Sequence, residues 1–214
     1  MAKIIRSINL DWSSFIGGVV ASLAGVGATL LSTKKMELMK AKTLSDSSER
    51  ALYLELSDLT DDLGNTIDVY YTVFAQYRAY ELSGNSELLI NITMPQATNF
   101  EILKYLTYQC FSGLTREQRR GLKKLLAMSD SLNDLYPKVL DDLRFNRESA
   151  NIREINVLMS LLCSTYHLTN ELCNCEARFK FSAKHPQDKL KEVFASRSLS
   201  LEDFSIMEYV EKAT

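Results

Sequence analysis

SSFIGGVVASLAGVGATLLST, Ser13 to Thr33, is the only charge-free, strongly apolar run of its size in the chain. An α-helix rises about 1.5 Å per residue, so a hydrocarbon core of roughly 30 Å needs about 20 residues. The run meets that length and reads as a single transmembrane helix. Trp12 stands where an interfacial aromatic belongs, and Lys34 and Lys35 close the other end. Two other readings fit less well. A cleaved signal peptide needs a compact apolar region and a small-residue cleavage site. Val26-Gly27-Ala28 imitates such a site, but Asp11 interrupts the leader and Leu30 and Leu31 prolong the apolar run. A buried helix of a water-soluble domain would carry several interior glycines, each costing up to about 1 kcal/mol.

Gly17, Ala21, Gly25 and Thr29 are each four residues apart, with Gly18 and Ser22 beside them. On a helix they form a smooth stripe, which lets two spans approach closely. The expected use is transmembrane packing, against a second copy or a partner's span. Lys34, Lys35, Lys40 and Lys42 follow the run with one Glu37, whereas Lys3 and Arg6 precede it with Asp11. The larger positive excess places the C-terminal side in the cytoplasm. Residues 1–12, with Ile4, Ile5 and Ile8, read as a short interfacial segment.

Working outward, residues 34–46 read as a juxtamembrane connector and 47–214 as one all-α bundle, elongated and antiparallel where its links are short. The chain has 214 residues, and with the span removed enough remains for one domain with a real core. Four of its eight glycines fall in the span and it has three prolines, so turn residues are scarce beyond residue 34 and long helices are expected. Net charge is −2, which gives no global sign of a nucleic-acid binder. Cys110, Cys163, Cys173 and Cys175 have no disulfide-framework spacing, in keeping with a reducing compartment.

Asp46 and Glu49 have capping-box spacing, which predicts a break and restart near 44–49. A long helix follows over about 47–83. Leu52, Leu56, Leu59, Leu63, Thr66, Tyr70, Val73 and Tyr77 alternate by four and three, a coiled-coil-like seam, with Asp58, Asp61, Asp62 and Asp68 outside it. Gly84-Asn85 ends it, and 85–97 is the least helical part. Asn91-Ile92-Thr93 there is a glycosylation sequon, meaningful only in a secretory lumen. Thr98 with Glu101 opens a helix to about Ser112. Thr115 with Gln118 opens another, which Pro137 should kink or restart. The stripe Ile152, Ile155, Met159, Leu162, Tyr166, Thr169 and Cys173, with a second stripe beside it, predicts a central helix over about 149–182. Short helices follow at about 187–196 and 201–212.

Catalytic signals are sparse. There are two histidines, no phosphate-binding glycine loop outside the span, and no H-E-x-x-H or G-x-S-x-G motif. Cys163 and His167 share a helix face, but Cys173 and Cys175 point away, so no metal site and no cofactor are expected. Arg178 and His185 have an R-x6-H spacing that resembles the R-x4-6-H signature of HEPN ribonucleases, which are also all-α. The resemblance implies a membrane-tethered ribonuclease with Arg178 and His185 as its catalytic residues; Phe179 stands where that signature usually has a polar residue.

Arg116, Arg119, Arg120, Lys123 and Lys124 form the one dense basic cluster, at a helix N-terminus where the macrodipole disfavours cations. That conflict points to an anion: lipid headgroups, nucleic acid or an acidic surface. Pairing with the aspartate face of the long helix, or plain solvation, is the ordinary alternative. Tyr70, Tyr71, Tyr77 and Tyr80 suit either a contact surface or the rim of a bundle core. The leading expectation is a membrane-anchored, oligomeric helical interaction protein, a scaffold, sensor or membrane effector, without evident enzymatic activity or small-molecule substrate. Its build looks like that of small bacterial or phage-encoded membrane proteins.

Overall fold

A computed structural model describes residues 12–90, 92–93, 96–145, 152–181 and 184–200. All regular structure among them is helical: α1 Trp12–Ser83, α2 Glu101–Cys110, α3 Arg116–Phe145, α4 Ile152–Cys175 and α5 Pro186–Ser196. Two short 3-10 turns, Ser86–Leu89 and Glu176–Arg178, complete the order. The chain divides into two compact units, residues 1–46 and 47–214. The predicted interfacial segment over 1–12, all but Trp12, and the predicted helix over 201–212 lie outside the described residues.

Over 12–31 only the helical backbone is described. The proposed packing residues Gly17, Gly18, Ala21, Ser22, Gly25 and Thr29 therefore have side chains outside the description. Among the described residues no helix is long and apolar enough to cross a membrane. Beyond them, Lys34, Lys35, Lys40 and Lys42 are all exposed. The break expected near 44–49 is absent. α1 runs through it, because Ser48 is drawn into a tertiary contact: it is buried and donates to Gln109 Oε1 at 3.3 Å.

Within 47–214 the seam of α1 is the spine. Leu52, Leu56, Leu59, Leu63, Tyr70, Val73 and Tyr77 are all buried, and Ile67 and Phe74 widen the stripe. The aspartates keep to the rim, with Asp58, Asp61 and Asp62 exposed. Direct contacts give the helix directions. Gln118 of α3 donates to the Tyr53 hydroxyl of α1 at 2.5 Å, and Tyr136 stacks near Tyr70 with ring centroids 6.3 Å apart. Both positions rise together, so α1 and α3 are parallel. The 84–100 segment and the descending α2 return the chain between them. α4 packs against α3 and α5, antiparallel to both: Cys173 reaches the Tyr53 carbonyl, and His167 meets Glu192. α5 is fastened to α1 by a bidentate Arg197–Asp68 pair and by Tyr71 edge-on to Phe194, centroids 5.9 Å apart.

Several boundaries move from their predicted places, each for a local reason. The Thr98/Glu101 box does not form: Thr98 is buried, and Asn99 Oδ1 accepts from the Glu101 amide at 2.9 Å instead. Pro137 lies inside α3 without ending it. It forfeits one backbone bond, and the buried Tyr136 and Val139 on either side hold the helix against the core. α4 stops at Cys175 rather than near 182, where Glu176 takes a left-handed φ of 44°. The chain turns there to carry the buried Phe179 ring onto α3. At that crossing Gly121 has no room for a side chain, since an added Cβ would lie 2.8 Å from the Phe179 ring and 3.1 Å from Leu172.

Gly121→Ala is therefore expected to lower stability by about 1–3 kcal/mol through overpacking. Denaturant midpoints of the two proteins in the same mild detergent measure it. An unchanged midpoint would mean that Phe179 can move aside freely.

Candidate anion-binding surface

The basic cluster is built on the first turns of α3. Its start is a reciprocal cap: the Thr115 amide donates to Gln118 Oε1 at 2.6 Å, and the Gln118 amide donates to Thr115 Oγ1 at 3.2 Å. This satisfies two orphan amides without any anionic side chain. Arg116, Arg120, Lys123 and Lys124 are exposed and Arg119 half-buried.

Aromatic rings, rather than carboxylates, hold these cations. Arg119 and Lys123 stand over Phe111, at 5.6 and 5.5 Å from the ring centroid, and Arg120 stands over Phe181 at 4.7 Å. Such contacts orient a cation and leave its charge unneutralised. Among the described residues no ion pair involves any of the five cluster cations. Of the aspartate face expected as their partner, Asp68 pairs with Arg197, and Asp58, Asp61 and Asp62 are exposed without an ion pair to the cluster among the described residues. Glu117, inside the cluster, accepts from the Phe181 amide at 3.3 Å.

Burial pulls the half-buried Lys189 of α5 below its ordinary range; Glu171 opposes the shift, and Lys124 and Lys184 add repulsion. Lys184 is itself paired with Glu192 at 2.8 Å.

Arg178 closes the 3-10 turn and is exposed. His185 is exposed too and serves as the N-cap of α5, its Nδ1 accepting from the Gln187 amide at 3.4 Å. The four tyrosines belong to the core rather than to a contact surface: Tyr70 and Tyr77 are buried, and Tyr71 and Tyr80 are half-buried against them. The cysteines do not converge. Cys163 is fully buried, and burial pushes its thiol up, whereas Cys175 is exposed. His167, buried, sits between Glu192 at 2.8 Å and Glu171 at 3.4 Å.

Two surface features escaped the sequence reading. Ile102, Tyr105 and Tyr108 leave an exposed apolar stripe on α2. A cleft of about 420 Å³ opens between α1 and the 96–99 segment, lined by Asp62, Asn65, Thr66, Gln96, Thr98 and Asn99. No protein-family model, no curated protein and no solved structure matches the chain.

Glu192 anchors the basic side of α5 through Lys184 Nζ, at 2.8 and 2.9 Å, and through His167. The Lys184 bond first, then His167, holds its carboxyl below the usual range. A depressed folded-state pKa gives stability that is present above the unfolded value and lost as pH falls through the folded one. Hydrogen exchange over 186–196, corrected for intrinsic rate, is expected to speed up as pH falls from about 5 to about 3. In Glu192→Gln that dependence should vanish; a parent profile flat in pH would contradict the linkage.

Proposed function

We propose that the chain is a single-span, membrane-anchored helical interaction protein whose bundle faces the cytoplasm. One observation carries this reading: the charge-free run Ser13–Thr33 lies in α1, the same helix whose later part is the spine of the bundle. The exposed Lys34, Lys35, Lys40 and Lys42 follow it, as the positive side of a span does. Glycines and small residues in that run are costly in water and favourable where helices pack in lipid.

The role is interaction rather than catalysis. The seam of α1 is used up inside the chain's own core. Association with copies or partners therefore falls to the small-residue stripe of the span and to surfaces such as the Ile102, Tyr105 and Tyr108 face of α2. Scaffold, sensor and membrane effector are the forms this role can take.

Fractionation tests the anchor. Membranes from cells expressing the full chain are washed with alkaline carbonate and no detergent. The parent is expected to stay in the pellet, and Val20→Lys/Leu23→Lys to be released, since a charge at mid-bilayer costs about 2.5–3.5 kcal/mol. Release of the parent would refute a span.

A further inference from the structure

The basic cluster has a definite place in the fold. α3 begins beside Tyr53 and α2 ends beside Ser48, so the first turns of α3 sit at the end of the bundle where the chain enters at Ser47. The 176–181 segment turns at the same end, with Phe181 under Arg120.

Thirteen residues, 34–46, separate the apolar run from this end. As part of α1 they span about 20 Å, and four of the thirteen are themselves lysines.

We infer that the surface formed by Arg116, Arg119, Arg120, Lys123 and Lys124 docks on the phosphate headgroups of anionic lipids in the leaflet from which the span emerges. This rests on the anchored reading above and names the partner of the bundle's basic end.

Three observations favour lipid over a nucleic acid. The cations crowd the end next to the tether rather than lining a groove along the bundle. Phe111 and Phe181 are covered by their own cations, so neither offers a face for a base to stack on. The chain as a whole is acidic, with net charge −2, so its attraction for anions is local. Glu49, Glu117 and Glu176 share this end. Glu117 is held by the Phe181 amide, and burial first, then Glu49 and Glu176, pushes the Tyr53 hydroxyl up to about 12.

The test uses the full chain in vesicles of neutral phosphatidylcholine, or of the same lipid with about a third phosphatidylglycerol. An amine-acetylating reagent is added, and labelling of each lysine is followed by mass spectrometry. Lys138, exposed on the far part of α3, is the internal reference. A lysine near an anionic leaflet is worth about fivefold in partition. Several acting together should slow labelling of Lys123 and Lys124 at least tenfold in the anionic vesicles, with Lys138 unchanged and half-molar salt abolishing the effect.

Arg119→Glu/Arg120→Glu should lose the protection. Arg116→Glu, a site with no ring contact among the described residues, should weaken it without disturbing the fold. Equal labelling in both vesicles would overturn the inference; retention under carbonate would then leave the anchor standing. Carbonate release together with protection by anionic vesicles would uphold the patch and refute the span. Shielding by single-stranded RNA or inorganic phosphate, without shielding by anionic vesicles, would overturn the lipid assignment.

Discussion

The bundle depends on the seam of α1. From Leu52 to Tyr77 one stripe of leucines and aromatics is removed from water, and α2, α3, α4 and α5 are fixed by what they lay against it or against each other. A buried leucine in such a stripe is worth about 2–5 kcal/mol when truncated to alanine. The same helix is the reference for the direction of the others. The direction of every later helix follows from it: α3 must run parallel to α1, and α4 must run back. The α3–α4 crossing must then be close enough that only glycine fits at position 121.

Polar contacts at the edges turn this apolar agreement into one arrangement. Gln118 to Tyr53, Ser48 to Gln109, Arg197 to Asp68 and Glu192 to His167 each join residues distant in sequence. Each is partly exposed, so each contributes modestly to stability. Their effect is on register: a one-turn slip of α3 or α5 would leave them unmatched. One consequence is the charge asymmetry. The cap at Thr115 and Gln118 fixes where α3 begins, and that fixes which end of the bundle carries its cations.

Much of the architecture was legible in the sequence because it rests on period and caps. The four-three alternation of Leu52 to Tyr77 marked the buried face of α1, and Thr115 with Gln118 marked the start of α3. Where reading failed, a tertiary contact had overruled a local signal. Ser48 is spent on Gln109, so α1 does not break. Thr98 is buried, so Asn99 caps α2 in its place. Phe179 is needed against Gly121, so α4 stops early. The candidate site was half visible. Arg116 to Lys124 stand together in sequence, but the phenylalanines that orient three of these cations lie outside the cluster's own helix.

In the proposed anchor, residues 13–33 lie among lipid tails with Trp12 at their interface. Trp12 is the chain's one tryptophan, so its fluorescence reports on that position alone. The full chain in vesicles is titrated with a water-soluble quencher, and separately prepared with lipids brominated near the headgroup or deep in the tails. The account predicts blue-shifted emission, weak quenching from water, and stronger quenching by the shallow bromines than by the deep ones. Emission like that of free tryptophan in water, quenched fully by the soluble reagent and by neither brominated lipid, would contradict it.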